Sequence, residues 1–309
     1  MFTILSQAFN RTAMNWKMVL TVFILNLSLG LILATPLYNL LQSESHNSLE
    51  FEKLLNGFDF TVISDFMSQS RKTLRPFWLL SFALSVIYMI LNIFFAGGIL
   101  CQFAKRGSFS LAEFFKNSAR YFGRFLLVFV FEILVLLVVA IVSFACMGVS
   151  LVASDGSTEP VQMAWLTPSL FISAFLLTVV LNMGQYAKII LFKNQSLSAW
   201  AGFLKAAGYV FNNFKTMRIY WAILIVAAAL VLAYYFLESA IGLTSAFKIA
   251  IMFIVQQVFI FCRVFVKIWT LSGAFEYLSL KPALVTALPK ENRGLKSETF
   301  DSGESKLSV

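Results

Sequence analysis

Six long apolar stretches limit what this chain can fold into more than any other feature. A helix needs about 20 mostly apolar residues to cross a bilayer, at about 1.5 Å of rise per residue. The chain of 309 residues is 59% hydrophobic and 13% charged, so polar side chains could not cover its surface in water. The sequence therefore predicts an all-α membrane helix bundle. Its six transmembrane helices are predicted at residues 18–41, 77–104, 125–153, 165–192, 219–237 and 246–271.

Lysine and arginine are concentrated in two of the connections between these spans. Residues 105–124 hold five basic residues against Glu113 alone, and residues 188–218 hold five basic residues and no acidic one. By the positive-inside rule, these connections and both termini are predicted to be cytoplasmic. The six-span membrane domain is expected to cover residues 1–281. The tail at 282–309 has too few apolar residues to fold alone, and we expect it to be disordered in the cytoplasm.

Three amphipathic stretches precede the first, third and fifth spans. Near residues 2–16, 110–124 and 198–215, apolar side chains recur at steps of three and four, which predicts helices lying in the cytoplasmic interface. Ser110 and Glu113 have the spacing of a capping box at the start of the second stretch. Basic side chains on the polar faces are predicted to contact anionic lipid. These candidate lipid contacts are Arg120, Arg124, Lys205 and Lys215.

The order of one amphipathic helix followed by two spans occurs three times. An offset of 106 residues matches Asn26 with Glu132, and an offset of 88 matches Ser110 with Ser198. The pattern indicates three parallel two-span repeats, whereas many transporters are built from inverted ones. The first copy has a longer outer loop, at residues 42–75, for which one or two short amphipathic helices are predicted.

Ionisable residues inside the predicted spans are costly in lipid and mark candidate functional positions. Glu132 lies in the third span, and Arg263 and Lys267 share one face of the sixth, so we expect an ion pair between Glu132 and Arg263. Such a pair would be either a polar lock between helices or part of a cavity for an anionic headgroup. Gly97 and Gly98 would permit a kink or a close helix approach in the second span. The candidate polar site comprises Glu132, Arg263, Lys267, Gln256, Gln257 and Lys188, the last with the alternative of extending to the interface.

The chain has no sequence pattern that points to catalysis or to a resident cofactor. His46 is the one histidine, and the three cysteines lie apart in apolar runs, so neither a metal site nor a catalytic triad is indicated. Walker, HExxH and GxSxG motifs do not occur. The net charge of +9 resides in short loops between apolar runs, which argues against a nucleic-acid partner. We therefore expect no enzymatic activity, no cofactor and no bound nucleic acid.

Two segments carry a resemblance to known proteins. The segment 108–125 begins Ser-Phe-Ser and ends Tyr-Phe-Gly-Arg-Phe, and a second segment runs from Gln256-Gln257 to Arg263. In these segments and in the order of its elements, the chain resembles poorly characterised bacterial six-span membrane proteins. These include the membrane domain attached to some glycerophosphoryl diester phosphodiesterases. The resemblance implies a multi-pass fold in the bacterial cytoplasmic membrane, but no phosphodiesterase domain is present and that activity is not carried over.

Three functions follow as hypotheses from these observations. The leading one is a non-enzymatic membrane protein that engages lipid, a membrane protein partner or a second copy of itself. The second is a transporter of a small molecule or lipid that uses the polar region around Glu132, Arg263 and Lys267. The third is an intramembrane enzyme working from scattered residues, for which the sequence nominates no catalytic group.

Overall fold

The protein is a bundle of helices, as the sequence predicts. The computed structural model describes residues 1–45, 60–69, 71–105, 107–241 and 245–280, and every secondary-structure element in those ranges is a helix. The predicted tail at 282–309 lies outside the described residues. The helices are α1 (Phe2–Met14), α2 (Trp16–Ser45), α3 (Phe60–Gln69), α4 (Arg71–Ala104), α5 (Leu111–Ala153), α6 (Glu159–Lys193), α7 (Ala199–Asn212), α8 (Phe214–Ile241) and α9 (Ala246–Ser279).

Six of the described helices are long and apolar enough to cross a membrane, namely α2, α4, α5, α6, α8 and α9. Large apolar side chains cover their outer faces. Phe82 on α4, Phe144 on α5 and Phe171 on α6 are 72%, 74% and 72% exposed. Surface of this kind needs lipid as its solvent. The six-span prediction is therefore confirmed.

Two of the three predicted interfacial helices are separate helices, and the third is not. α1 and α7 correspond to the stretches near 2–16 and 198–215. The stretch near 110–124 instead continues without a break into the third span, so that α5 has 43 residues and is about 64 Å long. Gly123 costs a helix interior about 1 kcal/mol, which does not end α5, and no proline intervenes to break the hydrogen-bond ladder. α5 therefore extends well beyond a hydrocarbon core of about 30 Å.

The predicted capping box is also wrong. Ser110 is the N-cap residue of α5, but its side chain makes no capping hydrogen bond. Glu113 instead pairs with Lys105, at 2.5 Å. The corresponding Ser198 does cap α7, accepting a hydrogen bond from the backbone N–H of Ala201 at 3.3 Å. An exposed cation beside Glu113 thus competes with the backbone N–H that a capping box would use.

The first outer loop is shorter than predicted. α2 continues to residue 45 and α4 begins at residue 71, so helix covers both ends of the predicted 42–75 loop. α3 provides one short helix within it, as expected, while the segment 46–59 lies outside the described residues. The second outer connection is a short turn, in which Gly156 adopts a φ of 69°, a left-handed conformation that glycine tolerates best.

Each amphipathic segment packs against the second span of a neighbouring repeat. On α1, the carbonyl of Ala8 accepts a hydrogen bond from Ser272 of α9 at 3.1 Å. The first turns of α5 pack so closely on α4 that a Cβ at Gly98 would lie 2.5 Å from the Oγ of Ser118. On α7, a Cβ at Gly202 would lie 2.7 Å from a methyl of Leu191 on α6. The close approach expected at the glycine pair of the second span is therefore present.

Positions related by the offsets of 106 and 88 have matching environments. Thr12, Ser118 and Ala206, one from each amphipathic segment, are all 0% exposed. On the facing spans, Ala96, Gly184 and Ser272 are likewise buried, at spacings of 88 residues. Small side chains at these positions allow the helices to approach closely in lipid. The predicted parallel repeats thus have buried small residues at corresponding positions. The end of the bundle that holds α1, the first turns of α5 and α7 is hereafter called the basic end.

An ion pair fastens α1 to the bundle at the basic end. The guanidinium of Arg11 lies 2.7 Å from the carboxylate of Glu276 on α9. It also donates to the backbone carbonyl of Phe103 on α4, at 3.2 Å, and its Cζ lies 5.3 Å from the ring centroid of Phe275. The nearby Trp269 donates to the carbonyl of Leu5 at 3.1 Å. Three helices thus meet at one arginine.

Candidate functional site

The buried carboxylate of the third span has a partner other than the one predicted. Glu132 on α5 is 5% exposed, and its Oε2 lies 3.6 Å from the Nζ of Lys188 on α6. The expected ion pair with Arg263 is therefore wrong. The reason is topological: the tight turn between α5 and α6 places these two helices side by side. The side chain of Glu132 therefore contacts α6. Lys188, whose alternative was to extend to the interface, is instead drawn into the bundle.

A glycine that the sequence reading did not single out makes room for this pair. A Cβ added to Gly184 on α6 would collide with the carboxyl group of Glu132. Gly184 lies four residues before Lys188, so both face the same side of α6. A glycine one turn from an intramembrane lysine is a sequence signal that could have identified α6 as the helix facing Glu132.

The pair is incompletely satisfied. The Oε2 of Glu132 is buried and has no hydrogen-bond partner, and the same is true of the Oε1 of Gln185 on α6. At 3.6 Å, the Lys188 ammonium is beyond hydrogen-bond distance of that oxygen. Buried polar atoms in folded proteins are nearly always hydrogen-bonded, so these two unpaired oxygens indicate a place for a ligand or water.

Two further cations approach from α9. Lys267 donates a hydrogen bond to the Oδ1 of Asn92 on α4, and its Nζ lies 5.3 Å from the ring centroid of Tyr88. One turn earlier, the Cζ of Arg263 lies 5.7 Å from the ring centroid of Phe259. Of the carboxylates in the described part of the chain, none lies within ion-pair distance of either cation. Both side chains are exposed, and neither is neutralised within the described structure.

Two cavities meet at these charges. A cavity of about 410 Å³ lies mainly between α4 and α9, and a second of about 920 Å³ lies mainly between α8 and α9. Both are large enough for an organic ligand and are lined mostly by apolar side chains. The four polar residues common to both linings, hereafter the polar cluster, are Glu132, Gln185, Lys188 and Lys267. Arg263 lines the larger cavity beside the cluster.

The polar cluster lies in the half of the bundle nearer the basic end. Lys267 precedes Glu276 on α9 by about two and a half turns, or about 14 Å. From the cluster the cavities extend away from the basic end, the smaller to Ser85 and the larger to Tyr234. Each of those residues is about 30 Å along its helix from that end. The site therefore has a charged end and two apolar extensions.

Both cavities reach the outer surface of the bundle. Tyr88 and Met89, which line the smaller cavity, are 42% and 40% exposed. In the larger cavity, Leu224 and Val231 are 44% and 51% exposed. Because these faces belong to helices of the six-span bundle, the surrounding solvent at both openings is lipid.

Two predicted members of the polar site are not brought to it. Gln256 and Gln257 lie on the described part of α9 but line neither cavity. They lie farther from the basic end than Arg263, by about two turns. The Oε1 of Gln257 is buried without a hydrogen-bond partner.

The four predicted lipid contacts fall into two groups. Arg124 donates to the backbone carbonyls of Gln195 and Leu197, at 2.5 Å and 2.6 Å, and so holds the loop between α6 and α7. Arg120 lies beside the same loop, 3.5 Å from the side-chain oxygen of Gln195. Lys205 and Lys215 are exposed at the basic end. A lipid contact by any of the four stays a prediction.

Comparison with family models, with curated proteins and with solved structures found no match. The resemblance to bacterial six-span proteins therefore stays a prediction. Among the described residues, no three His, Cys, Asp or Glu side chains come close enough together to hold a metal ion.

Proposed function

We propose that this integral membrane protein binds a lipid with an acidic headgroup inside its helix bundle and catalyses no reaction. One observation carries the proposal: a surplus of positive charge lies where two apolar cavities meet. Lys188, Lys267 and Arg263 line the larger cavity together with Glu132, the one carboxylate that the described residues contribute to that lining. An uncompensated charge inside a membrane is expensive, so the arrangement favours an anion that completes the charge balance.

The shape of the site supports a lipid over a water-soluble anion. A soluble anion needs polar contacts on all sides, whereas the cavities are lined mostly by apolar groups beyond the polar cluster. A lipid places a small charged group beside long apolar chains, which matches a charged end with two apolar extensions. The openings toward the bilayer also provide an entry path that avoids water.

The orientation of the site fits a lipid of the inner leaflet. The positive-inside rule places the basic end in the cytoplasm, so that a headgroup at Lys267 would point inward and its chains outward. We accordingly propose a bacterial cytoplasmic membrane location with both termini inside.

Native mass spectrometry of the purified full chain tests the proposal. The wild-type protein, released from native membrane into mild detergent, is expected to retain an acidic lipid. The double variant Lys267→Gln/Arg263→Gln is expected to lose it, because both unpaired cations are removed. Lys205→Gln is the matched control, since it removes an exposed lysine of the interface and leaves the cavities intact.

The Lys205→Gln control also distinguishes lipid bound in the cavities from lipid held on the protein surface. If acidic lipid were held only by the basic surface, Lys205→Gln would reduce retention as much as the double variant does. Equal lipid retention by the wild type and the double variant would contradict the proposal.

Transport is a second candidate, favoured by the fact that two separate cavities share one polar cluster. A lipid or small anion that crossed the bundle between the basic end and the far ends of these cavities would have to pass the polar cluster, which includes the Glu132–Lys188 pair. Reconstituted protein should then give flux of an acidic substrate in proteoliposomes, and Lys188→Gln should change its rate. Binding without any flux across a broad substrate panel would leave the binding function alone.

A further inference from the structure

The polar cluster and the adjoining Arg263, hereafter the cleft, indicate how much negative charge the ligand carries as well as its sign. Lys188 and Lys267 belong to the polar cluster, Arg263 adjoins it, and Glu132 is the carboxylate that faces them. With Glu132 ionised, the site carries two uncompensated positive charges.

We infer that the headgroup bound in this cleft is a phosphate monoester carrying close to two negative charges, in preference to a singly charged phosphodiester. The inference rests on the proposed function, since it names the headgroup that the same cleft selects. A phosphate monoester carries about 1.5 to 2 negative charges at pH 7, because its second pKa is about 6. A diester carries one charge and would leave the cleft with a net positive charge in a medium of low dielectric constant.

The placement of the donors agrees with a terminal phosphate. Arg263 and Lys267 lie four residues apart on α9, where side chains are neighbours about 5–6 Å apart at their Cβ atoms. Lys188 approaches from α6, so donors from two helices can reach different oxygens of one phosphate. A monoester offers three free oxygens, whereas a diester offers two and carries a second ester group. A guanidinium also binds two phosphate oxygens at once, which favours an accessible terminal group.

The two buried oxygens without hydrogen-bond partners, on Gln185 and Glu132, can contact the group that lies beside the phosphate. The Oε1 of Gln185 and the Oε2 of Glu132 are acceptors, and they lie in the shared wall of both cavities without hydrogen-bond partners. Neither can bind an unprotonated phosphate oxygen directly. They can accept a hydrogen bond from a hydroxyl group or water beside the phosphate. The cleft thus has donors from α6 and α9 for the phosphate and acceptors for its neighbour.

The test uses the full chain in detergent with lipids of defined headgroup. Phosphatidic acid is the monoester probe and phosphatidylglycerol with the same acyl chains is the diester probe. Binding of each is measured by native mass spectrometry over a concentration series at pH 7.5. The wild type is expected to bind phosphatidic acid about tenfold more tightly, the size of effect given by one additional charge-assisted hydrogen bond.

Variants assign the preference to the cleft. Lys267→Gln and Arg263→Gln are each expected to abolish the preference, because either change brings the surplus down to one charge. Two variants are used so that misfolding of one does not leave the inference untested. Lys116→Gln, which removes an exposed lysine of α5 that is not among the predicted lipid contacts, is the control and is expected to keep the wild-type preference.

The outcomes distinguish a failure of the monoester inference from a failure of the proposed lipid-binding function. Equal affinity for both lipids, with both lost on Lys267→Gln, would overturn the monoester inference and leave the proposed function standing. Failure to bind either lipid would overturn the proposed function itself. Inorganic phosphate and glycerol 1-phosphate form a separate arm. If either binds as tightly as phosphatidic acid, the phosphate chemistry holds and the lipid source is overturned.

Discussion

Two carboxylate–cation pairs in this molecule have opposite surroundings. At the basic end, Arg11 and Glu276 are 2.7 Å apart, and Arg11 also has a backbone carbonyl and an aromatic ring as partners. Within the bundle, Glu132 and Lys188 are 3.6 Å apart, and the Oε2 of Glu132 has no hydrogen-bond partner. Two more cations, Arg263 and Lys267, line the same cavity. The first pair is complete and the second is not.

A charge that stabilises helix packing therefore differs from a charge that is available to bind a ligand. A buried charge whose partners are all present stabilises the packing of its helices, and removing one partner is costly. A charge with too few partners contributes less to stability and has free energy to gain from a ligand. A carboxylate–cation pair therefore serves as a lock between α1 and α9 and as part of a candidate site between α5 and α6.

The largest expected effect is at the lock. Glu276→Gln should lower the free energy of unfolding by about 3 kcal/mol, because Arg11 then keeps a half-buried charge without its carboxylate. Unfolding by SDS in mixed micelles measures the change. Glu113→Gln is the matched control: its exposed pair with Lys105 should be worth about 0–1 kcal/mol. Equal losses in the two variants would remove the distinction between a buried lock and a surface pair.

A smaller loss is expected at Glu132. Glu132→Gln keeps the shape of the side chain but removes the one carboxylate that, in the described part of the chain, lines a cavity with three cations. We expect a loss of about 1–2 kcal/mol. The loss should be below that of Glu276→Gln, because the pair with Lys188 is longer and lacks a hydrogen bond. Adding Lys188→Gln should recover part of the stability in the same SDS titration. A loss larger than at Glu276 would make Glu132 the principal lock.

The close contact at Gly184 gives a third measurement. Gly184→Ala should cost about 1 kcal/mol, because the new methyl group displaces the carboxyl group of Glu132 from Lys188. In a Glu132→Ala background the same change should cost much less, and a double-mutant cycle measures the coupling. Gly123→Ala on α5 is the control, since a Cβ there meets nothing within 4 Å. Additive effects of the two changes would show that Gly184 does not serve the pair.

The smallest effect on stability is expected at Lys267, where stability and lipid retention should respond differently. Lys267→Met should leave the free energy of unfolding within about 0.5 kcal/mol, because relief of charge repulsion offsets the lost bond to Asn92. Acidic lipid retention should nevertheless fall. Arg11→Met, the same type of change at the lock, should instead destabilise the protein clearly. A large stability loss in Lys267→Met would show that this cation is structural.

Much of the fold was predictable because the bilayer imposes a simple rule on every span. The length of the apolar runs predicts six membrane-spanning helices, which the structure has. The recurring offsets relate Thr12, Ser118 and Ala206, which are all buried. The continuity of the amphipathic stretch with the third span was not predictable from amphipathicity alone. The residues that join the amphipathic stretch to the span, near Gly123, contain nothing that ends a helix, so α5 is continuous.

The members of the site were predictable, but their pairing was not. Glu132, Arg263, Lys267 and Lys188 stand out as ionisable residues in apolar helices. Depth along a span gives the layer in which a charge lies, but not which helix faces it. Asn92 was missed because an amide in a span is an ordinary residue until a cavity is found beside it.

By itself, the sequence determined the all-helical class, the six spans and the layer in which each charge lies, because these depend on composition and helix periodicity alone. The tertiary structure alone decided which charges meet. A tight turn between α5 and α6 and the missing side chain of Gly184 direct Glu132 to Lys188, and α9 is left with two cations beside the cavities. Partner choice depends on which helices lie side by side, and no local pattern encodes that contact.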